Sequence, residues 1–379
     1  MYRMSQNYIH QLEDWPRFQW DAGALAPLLA ETRHAQGRLL GRMEGLGFRL
    51  RDEADLVVMT SEVVKSSAIE GERLNDQEVR SSLARRLGLD AGALSASSRA
   101  VDGIVEMLLD ATRKYTDRLT EDRLFGWHAA LFPTARSGMR RITMGSWRPA
   151  EVGPMQVVSG RFGGERVHFE APAAARLNKE MERFLEWFNM GSRTDPVIHA
   201  ALAHFWFVTV HPFEDGNGRI ARAIADMALA RADGTEQRFY SMSAQIEAER
   251  KDYYAELERS QKGDLDITDW LAWFIACLGR SLERAEITLS VVLRKARVWQ
   301  RVGSTGVNER QRTVLNRLLD GFEGKLTSSK YAKLAKCSSD TALRDIRDLL
   351  DRGVLLRNAG GGRSVSYRVA EPSDLSPER

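Results

Sequence analysis

The sequence predicts a mainly α-helical protein whose β structure is confined to short hairpins. Three observations carry this. Apolar residues recur at helical spacing behind capping side chains along most of the 379 residues, and a helix buries a stripe at i, i+3, i+4 and i+7. In residues 138–170, Arg148-Pro149, Gly153-Pro154 and Gly163-Gly164 punctuate the β-branched pieces Val157-Val158 and Val167-His168-Phe169. Two short runs around a glycine-bearing turn read as a hairpin. A second pair, Gly353-Val354-Leu355-Leu356 and Ser364-Val365-Ser366-Tyr367-Arg368-Val369, flanks Gly360-Gly361-Gly362.

The elements follow in order. Residues 1–50 read as a small helical segment: Trp15 and Trp20 flank Pro16, and Asp21 can cap a long helix carrying Leu25, Leu28, Leu29, Leu39 and Leu40. Its aromatics read as core packing. Residues 53–71 form a helix with Leu56, Val57, Val63, Val64 and Ile69 as its stripe, stopped by Gly71. Helices at 76–87, 97–115 and 120–131 follow, with no chemistry on them. Pro172 and Pro196 read as first-turn prolines of two more helices. The second, capped by Asp195, carries His199 and His204 and delivers His211. Those two histidines are five apart, not the three or four of a one-face metal pair, and read as packing or hydrogen-bonding groups. Thr268-Asp269 caps a long helix through Trp270, Trp273, Phe274 and Leu278 to about Trp299, and 300–306 is the linker candidate. Helices at 308–319 and 327–336 precede one at 341–351 behind Ser338.

Composition sets outer limits. With 43% hydrophobic and 28% charged residues the chain has ample core material for a soluble globular protein. A net charge of +3 is too mild for nucleic-acid binding by the whole chain, but residues 301–379 hold 15 Lys/Arg against 10 Asp/Glu. Cys277 and Cys337 show no metal or CxxC spacing and suggest a reducing compartment. No secretory leader opens the sequence, and its most apolar stretch, 200–210, is too short to span a bilayer. The expectation is a cytoplasmic protein without a membrane partner.

Chemistry gathers in His211-Pro212-Phe213-Glu214-Asp215-Gly216-Asn217-Gly218-Arg219-Ile220-Ala221-Arg222. The glycines precede an apolar run at helical spacing (Ile220, Ala223, Ile224, Met227), so they sit where a helix begins. A helix N-terminus offers unpaired N–H groups and partial positive charge, which suits phosphate. Arg219 and Arg222, three apart, share a face directed at the same anion. Asp215 supplies a hard oxygen for Mg²⁺, and His211 is a base able to work near neutral pH. The inventory fits transfer chemistry on a nucleotide.

The same string resembles the Fic motif, H-P-F-x-[D/E]-G-N-G-R-x-x-R, at every specified position. The resemblance covers roughly residues 50–300. It implies a Fic-type helical core with a β-hairpin flap, and a protein that transfers AMP from ATP to a Ser, Thr or Tyr hydroxyl of a target protein, which can be the chain itself. His211 is then the catalytic base and Asp215 the Mg²⁺ ligand. The stretch from Asp215 through Gly216, Asn217, Gly218, Arg219, Ile220 and Ala221 to Arg222 binds the nucleotide. Ser66-Ser67-Ala68-Ile69-Glu70-Gly71 matches the inhibitory motif [S/T]-x-x-x-E-[G/N], with Ser66 and Glu70 on one helix face; Glu70 would pair with Arg222 and displace the γ-phosphate. Pro154-Met155-Gln156-Val157-Val158-Ser159-Gly160 resembles the start of a flap over 154–170, with Val157, Val158, Ser159 and Gly160 near the nucleotide. Tyr253-Tyr254-Ala255-Glu256-Leu257 and Gly263-Asp264 resemble the family's adenine-side stretch, with Gln261 where asparagine is common.

The resulting domain plan is an N-terminal helical segment at 1–50, a Fic domain at 51–300 with inhibitory helix 53–71, and a C-terminal unit at 307–370. That unit's three helices and two strands resemble a winged helix-turn-helix, with Arg344, Arg347, Arg357 and Arg363 as its phosphate-contacting set. It suits contact with DNA or with another protein, and a homodimer is compatible with the family. Two alternatives stay open: a related transfer such as phosphorylation or removal of AMP, and a winged-helix regulator whose Fic domain senses nucleotide. The intact Gly216-Asn217-Gly218 speaks against the kinase-like variant, in which a lysine replaces a motif glycine.

Overall fold

The computed structural model describes residues 8–89, 95–160, 164, 166–191, 194–303, 306–319, 322, 324–358 and 365–370. Packing divides the chain into two units, Met1–Glu286 and Ile287–Arg379. The expected separate segment at 1–50 belongs to the first of these.

Two central helices organise the first unit. Every residue of Val197–Val210 is buried, as expected for a helix that is apolar on all sides. This is α7 (Pro196–Val210), the last of a series: α1 (Ala22–Glu44), α2 (Phe48–Ile69), α3 (Asp76–Leu87), α4 (Arg99–Arg113), α5 (Glu121–Leu131) and α6 (Leu177–Met190). Asp195 caps α7 by accepting from the Val197 N–H at 2.7 Å, and Pro196 fills its first turn. Next comes α8 (Asn217–Asp233), which packs along α7. The second half of the unit holds α9 (Met242–Ala248), α10 (Arg250–Gln261) and the start of α11 (Thr268–Val302). Two polar groups inside this packing are paired: His204 Nε2 meets the Tyr253 hydroxyl at 2.9 Å, and Trp270 Nε1 donates to the Ala201 carbonyl at 3.0 Å. His199 stacks on Trp187 with centroids 4.4 Å apart, a packing role.

Helix α2 buries Leu56, Met59, Val63 and Ile69 and is fastened by polar contacts as well. Asp55, Glu62 and Ser66 lie on its buried stripe. Asp55 accepts from the Arg238 N–H at 2.8 Å and from the Arg113 guanidinium. Glu62 accepts from Ser241 Oγ at 2.6 Å and from the Ser243 N–H at 3.1 Å. The helix starts at Phe48, five residues before the sequence expectation, because Phe48 is 84% exposed and the first turn has no apolar stripe to announce it. Pro172 needs a correction. It precedes a 3-10 turn at Ala174–Arg176 and is no first-turn proline of α6; its carbonyl instead accepts from the Arg148 guanidinium.

The hairpins lie between α5 and α6. β1 (Arg136–Ser137) and β2 (Arg140–Arg141) form a short antiparallel pair that periodicity does not announce. β3 (Gln156–Ser159) and β4 (Arg166–Glu170) pair antiparallel with a register shift between Val157 and Val158. Phe169 buries against Tyr8, while β3 is exposed along its length.

In the second unit α12 (Glu309–Leu319), α13 (Ser328–Ala335) and α14 (Ser339–Asp351) precede the antiparallel pair β5 (Leu355–Arg357) and β6 (Tyr367–Val369). Its core gathers Val314, Leu315, Tyr331, Ile346, Leu349 and Leu355 with Val298 and Val302 from the end of α11. Those two apolar residues keep residues 300–302 helical, where the sequence reads a linker. Asp345 joins three segments by accepting from Arg310 Nε and Asn308 Nδ2, both at 3.0 Å, and from the Tyr331 hydroxyl at 3.3 Å. Arg344, Arg347 and Arg357 are exposed. Arg363 and Gly360-Gly361-Gly362 lie outside the described residues, as does Gly163.

Arg238, 2% exposed, bonds Asp233 at 2.6 Å and Asp226 at 3.4 Å. Arg238→Met is expected to cost about 3–5 kcal/mol, since removing one partner strands buried carboxylates. Urea unfolding checks this, and a change under about 1 kcal/mol would show that the network carries no such load.

Candidate active site

The turn between α7 and α8 is held by left-handed backbone at both ends. His211 closes α7 with φ 50 and ψ 59, and Gly216 opens α8 with φ 81. Gly216 is needed twice over, because a Cβ there would stand 2.9 Å from the Phe132 ring. Asn217 then staples the turn. Its Oδ1 accepts from the Phe213 N–H and its Nδ2 donates to the Phe213 carbonyl, both at 2.9 Å. Both polar ends of that buried amide are thereby used, so Asn217 can offer an anion its backbone N–H. Phe213 anchors the turn from inside, stacked on His128 with centroids 4.3 Å apart.

His211 is half-buried. Its Nδ1 lies 3.2 Å from the Val208 carbonyl, and a carbonyl can only accept, so Nδ1 carries the proton and Nε2 the free lone pair. Burial pushes the imidazole down to about 4; the Val208 carbonyl, Glu70 and Asp215 oppose this, and Arg148 adds to it. The ring is therefore a neutral acceptor at physiological pH.

Asp215 accepts from the Gly216 N–H at 2.6 Å through Oδ1 and from the Ser137 hydroxyl through Oδ2. The neighbouring Glu214 accepts from Arg140 Nη2 at 3.0 Å and from the Thr143 N–H at 2.7 Å. The β1–β2 hairpin thus fastens the acidic part of the turn. One half-buried carboxylate with free lone pairs fits a Mg²⁺ ion that draws its other ligands from phosphate and water; among the described residues no three His, Cys, Asp or Glu side chains form a metal cage.

Both motif arginines are buried, at 6% and 3% exposure for Arg219 and Arg222. They reach different carboxylates. Arg222 donates from Nε to Ser66 Oγ and from Nη2 to the Ser66 carbonyl, each at 2.9 Å, and from Nη2 to Glu70 Oε1 at 2.8 Å. Arg219 Nη1 donates to Glu72 Oε2 at 2.8 Å and lies over the Phe132 ring. Arg219 Nε and Arg222 Nη1 are buried with no hydrogen-bond acceptor. The Glu70 carboxylate lies against the first turn of α8: a Cβ on Gly218 would meet Oε1 at 2.2 Å and Arg222 Nη1 at 3.2 Å. A carboxylate therefore occupies the glycine-lined N-terminus of the helix, where N–H groups and the helix dipole favour an anion.

The remaining expected residues are spread around this centre. Ile220 and Ala221 are fully buried in the core, so their side chains pack and only backbone is left for a ligand. Gln261, 5% exposed, donates to Thr209 Oγ1 at 3.2 Å. Val157, Val158, Ser159 and Gly160 are exposed on β3 and the turn after it; Ser159 Oγ lies 2.5 Å from His168 Nε2, which links the hairpin to Glu258 on α10. Sequence reasoning missed Glu72, Ser137 and Arg148. Glu72 was the one with a signal, being a second carboxylate two residues past Glu70.

Fold and site together define a helical protein in which the turn between two buried helices faces the Glu70 carboxylate. The chain carries a domain of the Fic/DOC family, whose model matches residues 118–229. A model described as a domain of unknown function (DUF4172) matches residues 8–89. Protein adenylyltransferase fic-1 of Caenorhabditis elegans is 33% identical over 132 residues, which are 34% of this chain and 23% of that protein. Protein adenylyltransferase Fic of Drosophila mojavensis is 27% identical over 224 residues, 58% of this chain and 40% of the relative. The chain thus spans less than half the length of these curated relatives. A solved Fic family protein from Desulfovibrio desulfuricans G20 shares the fold, with a TM-score of 0.53 at 20% identity over 93% of this chain and 98% of that one.

Asn217→Ala should leave the Phe213 N–H and carbonyl unpaired inside the protein, at a cost of about 2–4 kcal/mol. Thermal unfolding measures it, and a melting temperature within about 2 °C of wild type would remove Asn217 as the staple.

Proposed function

We propose that the protein is an adenylyltransferase that moves AMP from ATP onto a Ser, Thr or Tyr hydroxyl of a protein, and that α2 holds it inactive. One observation carries the reading: the Glu70 carboxylate sits on Gly218 and Arg222, so the site already holds an anion at the helix N-terminus. A nucleotide triphosphate offers the same charge in greater measure. Release of Glu70 frees Arg222, and release of Glu72 frees Arg219, for the β- and γ-phosphates.

The chemistry follows from the side chains. His211 Nε2 takes the proton of the acceptor hydroxyl as its oxygen bonds to the α-phosphorus, and the bond from that phosphorus to the β-phosphate oxygen breaks, so pyrophosphate leaves. The N–H groups at the start of α8 face the charge that develops on phosphate oxygens. Asp215 would hold Mg²⁺, which neutralises phosphate charge when bound. The protonated His211 returns its proton to solvent. In the second unit Arg344, Arg347 and Arg357 suit a winged-helix contact with DNA or with a protein; a salt-dependent shift of a duplex in a binding assay, lost on Arg344→Glu, would separate DNA from protein.

Mass spectrometry after incubation with Mg-ATP tests the reading. Glu70→Gly should gain one AMP per chain, wild type less, and Glu70→Gly with His211→Ala none. A gain of one phosphate would replace the reading with a kinase-like one. No labelling of the chain or of added cellular protein by Glu70→Gly would overturn it.

Two further outcomes are expected. Without ligand, Glu70→Gly leaves Arg222 buried and short of an anion, so stability should fall by about 1–3 kcal/mol and recover on adding Mg-ATP. A variant as stable as wild type without nucleotide would contradict this. Transfer needs neutral His211, so the rate should hold from pH 8 down to about pH 5 and decline towards about 4. An acid limb centred near 6.5 would show that burial does not depress the ring.

A further inference from the structure

We propose that Arg148 is a positioning residue for His211, and that its guanidinium ties the foot of the β3–β4 hairpin to the turn that presents the imidazole. Three bonds define the tie. Nε donates to the His211 carbonyl at 2.9 Å, Nη2 donates to the Pro172 carbonyl, and the backbone N–H of Arg148 donates to the Pro212 carbonyl at 2.9 Å. Residues 149–171, which contain β3 and β4, therefore leave from and return to one side chain.

The side chain is unusual for what it lacks. Arg148 is 4% exposed, and among the described residues no carboxylate pairs with it. Burial pushes the guanidinium down to about 10. A buried cation without a counter-ion is costly, and a neutral donor would serve if one hydrogen bond were all that was required. The guanidinium adds a rigid fork that meets two carbonyls in fixed directions.

Those carbonyls need fixing. His211 ends α7 in a left-handed conformation, with φ 50 and ψ 59. A residue bearing a Cβ keeps that shape where its surroundings enforce it. The last carbonyls of a helix also lack partners within it, and the dipole favours a cation beside them. Freed from Arg148, the peptide joining His211 to Pro212 would lose its orientation, and Nε2 would move relative to Asp215 and the start of α8. The other charged groups facing the ring are Glu70 from α2 and Asp215 from the turn itself; neither bonds the His211 backbone. The hairpin enters the same constraint through Pro172, so its foot and the imidazole move together.

This rests on His211 being the base of the proposed transfer, and the test separates the two. Arg148→Met and Arg148→Lys are made on Glu70→Gly and compared by the ring spectrum of ¹⁵N-labelled histidines and by transfer kinetics. The His211 signal is identified by its absence in His211→Ala. In Arg148→Met that signal should shift or split while those of His199 and His204 in α7 stay; kcat should fall roughly 10- to 100-fold with the KM for ATP within about twofold. Arg148→Lys should recover part of the loss. An unmoved His211 signal overturns the proposal whether or not the chain transfers AMP. Movement of His199 and His204 together with a raised KM would also overturn it, since that marks a general packing role. If Glu70→Gly transfers nothing, the functional reading fails and the ring spectrum still decides Arg148. Should Arg148→Met not fold, Arg148→Lys decides by the same signals.

Discussion

The buried charge of Arg222 is met by an anion, and this site is built around that pair. At 3% exposure its charge cannot be met by water, and the two Ser66 contacts satisfy donors without neutralising them. The Glu70 carboxylate supplies the counter-charge at Nη2, and Nη1 is left without an acceptor. Glu70 is itself about a third exposed, with 31% of its side chain open to solvent, so it can leave without being dragged through packed protein. The asymmetry has a mechanical consequence. The cation is fixed in the core; in the proposed function the anion exchanges, and whichever anion binds best would determine the state of the site.

In the proposed function, helix α2 would make that competition stringent. A carboxylate on a loose helix would be a weak rival to a triphosphate. Asp55, Glu62 and Ser66 instead lock α2 to Arg113, the loop after α8, and Arg222, so Glu70 and Glu72 arrive already placed. The order required of them was supplied by folding, which is the physical meaning of preorganisation. The helix lies in the segment matched by the domain of unknown function, and the arginines lie in the Fic/DOC match. The two matched segments therefore meet through the ion pairs Arg222–Glu70 and Arg219–Glu72.

The parts legible in the sequence were those with local causes. Asp21, Asp195 and Ser338 cap their helices as their residue types suggest, and Gly216 reads as a helix entry because left-handed backbone favours glycine. The pairing of Glu70 with Arg222 could be anticipated from the motif that Ser66 and Glu70 form. What stayed hidden depends on long-range placement. The β1–β2 pair has two residues per strand, too few to show alternation, yet it holds Asp215 and Glu214 through Ser137, Arg140 and Thr143. Arg148 stands beside a proline in a stretch read for turns, and nothing near it in sequence announces a partner 63 residues on. Asn217 is expected among the nucleotide-binding residues; the structural difference is confined to its side chain, which bonds the Phe213 backbone and leaves the Asn217 N–H for a ligand.

That last difference says how the turn works. A loop of six residues between two buried helices could present its groups in many ways, because loops lack a ladder of hydrogen bonds. Here left-handed backbone at His211 and Gly216 reverses the chain, Asn217 spans the turn from behind, and Phe213 plugs it into the core. The imidazole, the Asp215 carboxylate and the first N–H groups of α8 are then held by packing that no ligand has to organise. Such a turn gains little by closing on its ligand. The groups at the turn that keep exposed surface are the Glu70 and Glu72 carboxylates, just past the end of α2. In the proposed transfer, control of the site would accordingly fall to its rim and not to the groups proposed as catalytic.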